Sequence, residues 1–152
     1  MAGPKLVVAD IDTVALERAR TELGATVVAP NAIYDVEADI YAPCALGATL
    51  NPETLGRLKA RIVAGAANNQ LATADVGEML RNKGVLYVPD FVINAGGIIK
   101  VCYEYLKKPE ADVAAHVHQI GDTLAEIFAR AGAQGRATSV VADEVAEARF
   151  KR

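Results

Sequence analysis

The feature that most constrains this chain is its rhythm. Up to about residue 90, short apolar runs alternate with stretches of helical periodicity. Such alternation specifies an α/β fold, because strands joined through helices run parallel and bury the sheet beneath their crossovers. The expected strands are Lys5–Ala9, Ala25–Ala29, Asp39–Ala42, Arg61–Gly65 and Val85–Val88. Asp12 is placed to cap a helix with Leu16, Ala19 and Leu23 on its apolar face, and Gly24 to end it in a left-handed turn. Asn51-Pro52-Glu53 combines a cap, a first-turn proline and an acid at the positive dipole end. Thr73 is the expected cap of a helix that packs Val76 and Leu80 and stops at Gly84.

Beyond residue 90 the pattern is helical. One helix is expected from Asn94 to Lys107 and another after Pro109. The second carries Val113, Val117, Ile120, Leu124, Ile127 and Ala131 on one stripe and closes at Gly132. A last helix is expected from Ser139 to Phe150. The organisation is thus one domain over 1–152, with sheet and crossover helices in 1–90 and a helical segment in 91–152.

Composition narrows the function. A formal charge of −3 with acids and bases intermixed gives no basic cluster for nucleic acid. No apolar run approaches the about 20 residues that span a bilayer. The start, Met1-Ala2-Gly3-Pro4-Lys5, lacks a secretory apolar region, so the expected compartment is the cytoplasm. Two cysteines and two histidines, none at ligand spacing, argue against a structural metal site.

Asp10 stands at the end of the first run. A strand-end carboxylate can accept the ribose hydroxyls of a dinucleotide and repel the extra phosphate of NADP. The alternative for Asp10 and Asp12 alike is a plain helix cap. The glycine-rich half of that fingerprint belongs about 20 residues upstream, yet only nine residues precede Asp10 here.

Ala42-Pro43-Cys44-Ala45-Leu46-Gly47 and Ala64-Gly65-Ala66-Ala67-Asn68-Asn69-Gln70 each follow a strand and precede a helix. Ligands of open α/β sheets bind there, and small residues let the backbone approach a flat cofactor. An Asn amide both donates and accepts, which suits a carboxamide or a ribose hydroxyl. Ordinary turns use the same residues. Asn94-Ala95-Gly96-Gly97 reads either as a substrate anchor with glycines for close helix packing, or as a capped helix start.

Taken together, DIYAPCALGA (39–48), VAGAANNQ (63–70) and YVPDFVINAGG (87–97) resemble the glutamate/leucine/phenylalanine/valine dehydrogenase family, most of all its leucine and phenylalanine branch. The resemblance implies oxidative deamination of an apolar L-amino acid to a 2-oxo acid and ammonia, with hydride passing to NAD. It implies that Asp10 holds the adenosine ribose, that Cys44 and Ala45 line the cofactor cleft, and that Asn68 and Asn69 reach the nicotinamide end. Asn94 would contact the amino acid, and Val117 and Ile120 its side chain. The alternative for the last two is plain core. No residue here is expected to be catalytic: the family's lysines and acid–base aspartate lie in an N-terminal domain that this sequence does not contain.

The implied fold is therefore a Rossmann-type parallel sheet without its first βα unit, followed by C-terminal helices. The parent enzyme is expected to be a homo-oligomer, or the chain to join its missing N-terminal half. The isolated chain is expected to be inactive. A rival reading is a non-catalytic remnant or interaction module that pairs with a partner chain through an exposed sheet edge. In the order 3-2-1-4-5-6 the missing strand is central. Direct pairing of Lys5–Ala9 with Asp39–Ala42 is the expected closure.

Overall fold

Helix starts follow from local chemistry. Asp12 accepts the backbone N–H groups of Val14 and Ala15, so helix α1 (Thr13–Leu23) begins there, and Gly24 ends it at φ 65°. Asn51 accepts the N–H of Thr54 while the Thr54 hydroxyl accepts the N–H of Asn51, a reciprocal cap that starts α2 (Pro52–Arg57). The computed structural model describes residues 3–151.

The remaining elements are strands β1 (Val7–Val8), β2 (Thr26–Val27), β3 (Ile40–Tyr41), β4 (Ile62–Val63) and β5 (Leu86–Tyr87), and helices α3 (Asp75–Asn82), α4 (Asp90–Ile93), α5 (Gly96–Tyr105), α6 (Glu110–Gln134) and α7 (Thr138–Phe150). All five strands fall inside their expected runs, and every pairing is parallel. The architecture is α/β, as the alternation of runs requires.

The expected closure does not occur. β1 pairs with β2, and β3, β4 and β5 form a separate sheet in that order. Leu6 and Val8 accept from Thr26 and Val28, while Asp39 and Tyr41 accept from Ile62 and Ala64. Backbone groups alternate sides along a strand, so Val7 and Ile40 turn theirs away from these partners. The physical reason is local connection: α1 returns the chain to lay β2 beside β1, and α2 returns it to lay β4 beside β3, whereas no such crossover joins β1 to β3.

Burial gathers in two cores, neither of them on the β1-β2 sheet. One core gathers Leu50, Leu55, Val63, Val76, Leu80 and Tyr87 between the larger sheet and helices α2 and α3. A second joins Val92 to Ile127, Ala131, Val141 and Val145 across α4, α6 and α7. Full burial of each such aliphatic side chain is worth roughly 1.5–3 kcal/mol. By contrast α1 buries no residue, and Leu23, expected on its packed face, is 65% exposed. A two-stranded sheet offers that helix too little surface to cover.

Three helix boundaries also differ from expectation. Thr73 makes no side-chain cap, and its carbonyl instead accepts the N–H of Val76 in the turn before α3. The helix expected over 94–107 is present as α5 but starts two residues later, because Asn94 closes the short α4 and the chain turns before α5 begins. The long α6 passes through Gly132 and closes at Gly135, which takes the left-handed turn at φ 64°. A glycine can sit inside a helix whose other residues carry it, at a cost of about 1 kcal/mol.

Close contacts fix α7 over the sheet. The N–H of Ala137 donates to Glu78 at 2.9 Å, and the Thr138 hydroxyl to the carbonyl of Tyr87 at 2.6 Å. A Cβ on Gly77 would lie 2.2 Å from the Ser139 hydroxyl and 3.4 Å from its Cβ, so a larger residue at 77 would turn that hydroxyl aside where α3 meets α7.

Candidate functional site

Three loops meet at the carboxyl ends of β3, β4 and β5. The first two are laced together along their length. Ala67 N–H donates to Pro43, Ala48 N–H to Asn69, and Leu50 N–H to Gln70. Glycine makes this possible: a Cβ on Gly65 would lie 2.2 Å from the carbonyl oxygen of Pro43, and one on Gly47 would lie 2.8 Å from that of Asn68. The small residues of these loops thus let one backbone approach another. Ala48 and Asn69 take left-handed backbone angles, φ 56° and 53°, a conformation that Asn adopts more readily than other non-glycine residues.

Within this frame Cys44, Ala45, Asn68 and Asn69 are exposed to solvent along the loop surface. The half-buried Asn94 reaches them from the end of α4: its side-chain amide donates to Asn68 Oδ1 at 2.5 Å and to the carbonyl of Ala66 at 3.3 Å. Asn94 therefore caps no helix start. It ties the turn between α4 and α5 to the loop after β4.

Asp10 lies apart, at the end of β1. Its Oδ1 accepts the N–H groups of Ile11 and Asp12 at 2.7 and 2.9 Å. Among the described residues its Oδ2 accepts nothing, and the residue is exposed. Asp12, not Asp10, caps α1. A carboxylate oriented by two amides, with one oxygen open, has the acceptor chemistry that a pair of ribose hydroxyls requires. The donor set here fits a dinucleotide: an acceptor at one end, and two amides at the other.

Val117 and Ile120 part company. Val117 is 37% exposed, and a Cβ on Gly96 would meet its Cγ2 at 4.0 Å, ordinary contact beside the turn that holds Asn94. Gly97 has open space around it, so the glycine pair is not forced by packing. Ile120 packs against the helical core and lines an apolar cleft of about 470 Å³ with Phe91, Ile99, Thr123, Val145 and Phe150.

Sequence reasoning passed over Asp90 and Gln70. They are the buried polar residues among those described, at 9% and 0% exposure, and they join directly: the N–H of Gln70 donates to Asp90 Oδ2 at 2.8 Å. Burial and the neighbouring Asp90 charge push the Tyr87 phenol above its ordinary range. Both come soon after a strand, Gln70 after Asn68-Asn69 and Asp90 after Pro89, where polar residues are ordinary turn formers.

Comparison with known proteins follows the same residues. The profile of the glutamate/leucine/phenylalanine/valine dehydrogenases matches residues 6–150. The leucine dehydrogenase of Bacillus cereus is 48% identical over 148 residues, which is 97% of this chain and 40% of that protein. The L-tryptophan dehydrogenase of Nostoc punctiforme is 48% identical over 147 residues, 96% of this chain and 42% of its own length. A crystal structure of L-tryptophan dehydrogenase from Nostoc punctiforme superposes with a TM-score of 0.92 at 47% identity, covering 97% of this chain and 44% of that one. The chain thus spans about two-fifths of the curated relatives it matches. It belongs to the glutamate/leucine/phenylalanine/valine dehydrogenase family.

Proposed function

We propose that this chain is the cofactor-binding part of an NAD-dependent L-amino acid dehydrogenase of the cytoplasm, acting on an apolar amino acid. The observation that carries the reading is the convergence of Asn68, Asn69 and Asn94 on laced loops at the strand ends, in a chain similar over nearly all its length to leucine and tryptophan dehydrogenases. Asp10 accepts the adenosine ribose hydroxyls through its open Oδ2. Cys44 and Ala45 line the cleft, and Asn68 and Asn69 hold the carboxamide end. Bound there, NAD supplies a hydride acceptor for deamination of the amino acid to a 2-oxo acid and ammonia. Asn94 anchors the amino acid, while Val117 and Ile120 bound its side chain. Residues 1–152 form one partial Rossmann-type domain, with sheet and crossovers in 1–90 and helices in 91–152.

The acid–base groups come from elsewhere, so the chain alone is inactive. The sheet supports this reading. In the doubly wound order, β2 and β1 precede the central strand and β3, β4 and β5 follow it, which is the division seen here. The outward-facing backbone groups of Val7 and Ile40 are therefore the edges that the missing N-terminal half pairs with. The same edges favour a second reading, an interaction module that takes a strand from a partner chain. Absorbance of NADH during incubation with leucine and NAD separates the two. The chain alone gives no turnover. Mixing with a fragment that carries the missing half restores it under the first reading and leaves it absent under the second.

A further inference from the structure

One buried side chain beside the cleft has no part in the proposed chemistry. Asp90 is a buried carboxylate, and among the described residues no lysine, arginine or histidine pairs with it. Taking a carboxylate out of water is unfavourable unless both oxygens are well supplied with donors. Here Oδ2 accepts the N–H of Gln70 at 2.8 Å, and Oδ1 accepts the N–H of Phe91 at 2.7 Å. The N–H of Asp90 itself reaches the Tyr87 hydroxyl at 3.3 Å. One residue thus joins the end of β5, the start of α4 and the loop after β4.

Gln70 carries the constraint into that loop. Its side-chain amide donates to the carbonyls of Gly65 and Ala67 at 2.8 and 2.9 Å, which clamps the loop from inside. Between those anchors lie Asn68 and Asn69. Asn68 is the residue that Asn94 grips, and the carbonyl of Asn69 accepts the N–H of Ala48. A single buried acceptor pair therefore stands behind both walls of the cleft: the loop through Gln70, and Asn94 through the α4 turn that Asp90 begins.

We propose that Asp90 is a positioning residue, which through Gln70 fixes the 65–70 loop and so sets where Asn68 and Asn94 present their amides to a nicotinamide dinucleotide. The dinucleotide part rests on the function proposed above; the positioning part rests on the hydrogen bonds alone. Two acceptor oxygens are essential to it. An asparagine at 90 has one, and its amide nitrogen would face a backbone N–H with no lone pair to offer.

The test uses the 152-residue chain, labelled with ¹⁵N, as wild type and as Asp90→Asn, with the exposed Asp75→Asn as control. Asp90→Asn is expected to melt cooperatively, to shift the Gln70 amide and the Asn94 side-chain resonances, and to weaken NAD⁺ binding tenfold or more by calorimetry. Asp75→Asn should alter none of these. An Asp90→Asn chain that loses thermal stability but keeps its loop resonances and its NAD⁺ affinity overturns the proposal, because Asp90 would then be merely structural. If wild type binds no NAD⁺, the cofactor reading fails and the resonances still decide the positioning role. Should Asp90→Asn not fold, wild-type hydrogen exchange decides. The Gln70 N–H must be among the slowest in the 65–70 loop, and rapid exchange there would overturn the proposal.

Discussion

Single atoms set the shape of the cleft. The Cα hydrogen of Gly65 occupies the space that any larger group would contest with the Pro43 backbone. Backbone cannot yield as a flexible side chain can, so Gly65→Ala should destabilise the fold by about 1–3 kcal/mol, measured by urea denaturation. Gly97→Ala, with open space around it, should stay within about 0.5 kcal/mol of wild type. At Asp10 the expectation is the reverse. Asp10→Ala should hardly move stability yet weaken NAD⁺ binding by about 1–3 kcal/mol, the worth of hydrogen bonds to a charged group. An unchanged affinity would reduce Asp10 to a turn residue that supports Asp12. Residues whose role is local were legible in the sequence: the caps Asp12 and Asn51 and the left-handed Gly24 need only their neighbours. Asp90 and Gln70 were not, because their partners lie 20 positions apart and each alone looks like an ordinary turn residue.

Helices and strands show where periodicity stops being informative. All five strands were legible as apolar runs, but the stripe on α6 does not mean uniform burial. Ile127 and Ala131 are buried, Ile120 and Leu124 partly so, and Val117 is exposed, because the core under α6 lies toward its C-terminal end. The apolar face of α1 was equally legible yet is only half covered, with Leu16 and Ala19 half-buried and Leu23 exposed, since what covers a face is a tertiary fact. Leu80→Ala, within the larger core, should therefore cost about 2–5 kcal/mol, whereas Leu23→Ala on α1 should change stability by no more than about 0.5 kcal/mol. Hydrogen exchange should rank the elements likewise, with β1 and β2 exchanging well before β4 and β5. Equal protection in the two sheets would mean that the smaller one is covered in solution.

Across the whole molecule, charge and sheet order decide behaviour. Arg81, together with the N–H of Ala137, holds the Glu78 carboxyl below its ordinary 4.5, and Arg136 with Arg130 does the same for Glu144. Arg57 lowers Asp35. A carboxylate whose value is depressed by folding stabilises the fold above its unfolded value, and that contribution is lost as pH falls through the folded one. Asp143, raised by burial with Glu147 and Asp90 nearby, acts in the opposite sense, but the lowered groups outnumber it. The melting temperature should thus hold steady down to about pH 5 and decline below 4.5. Glu78→Gln should flatten that decline, and 1 M salt should too, since these pairs are solvent-exposed. The strands divide into two parallel sheets, β1-β2 and β3-β4-β5. Direct closure fails because each pairing follows its own crossover, β1 with β2 through α1 and β3 with β4 through α2, and none joins β1 to β3.

Paired calorimetric titrations of the chain with NAD⁺ and NADP⁺ decide whether it carries the dinucleotide site of its enzyme. Saturable, weak binding of NAD⁺ is expected, with weaker or no binding of NADP⁺ and loss of that preference in Asp10→Ala. Absence of saturable NAD⁺ binding, or tighter binding of NADP⁺, would contradict this expectation.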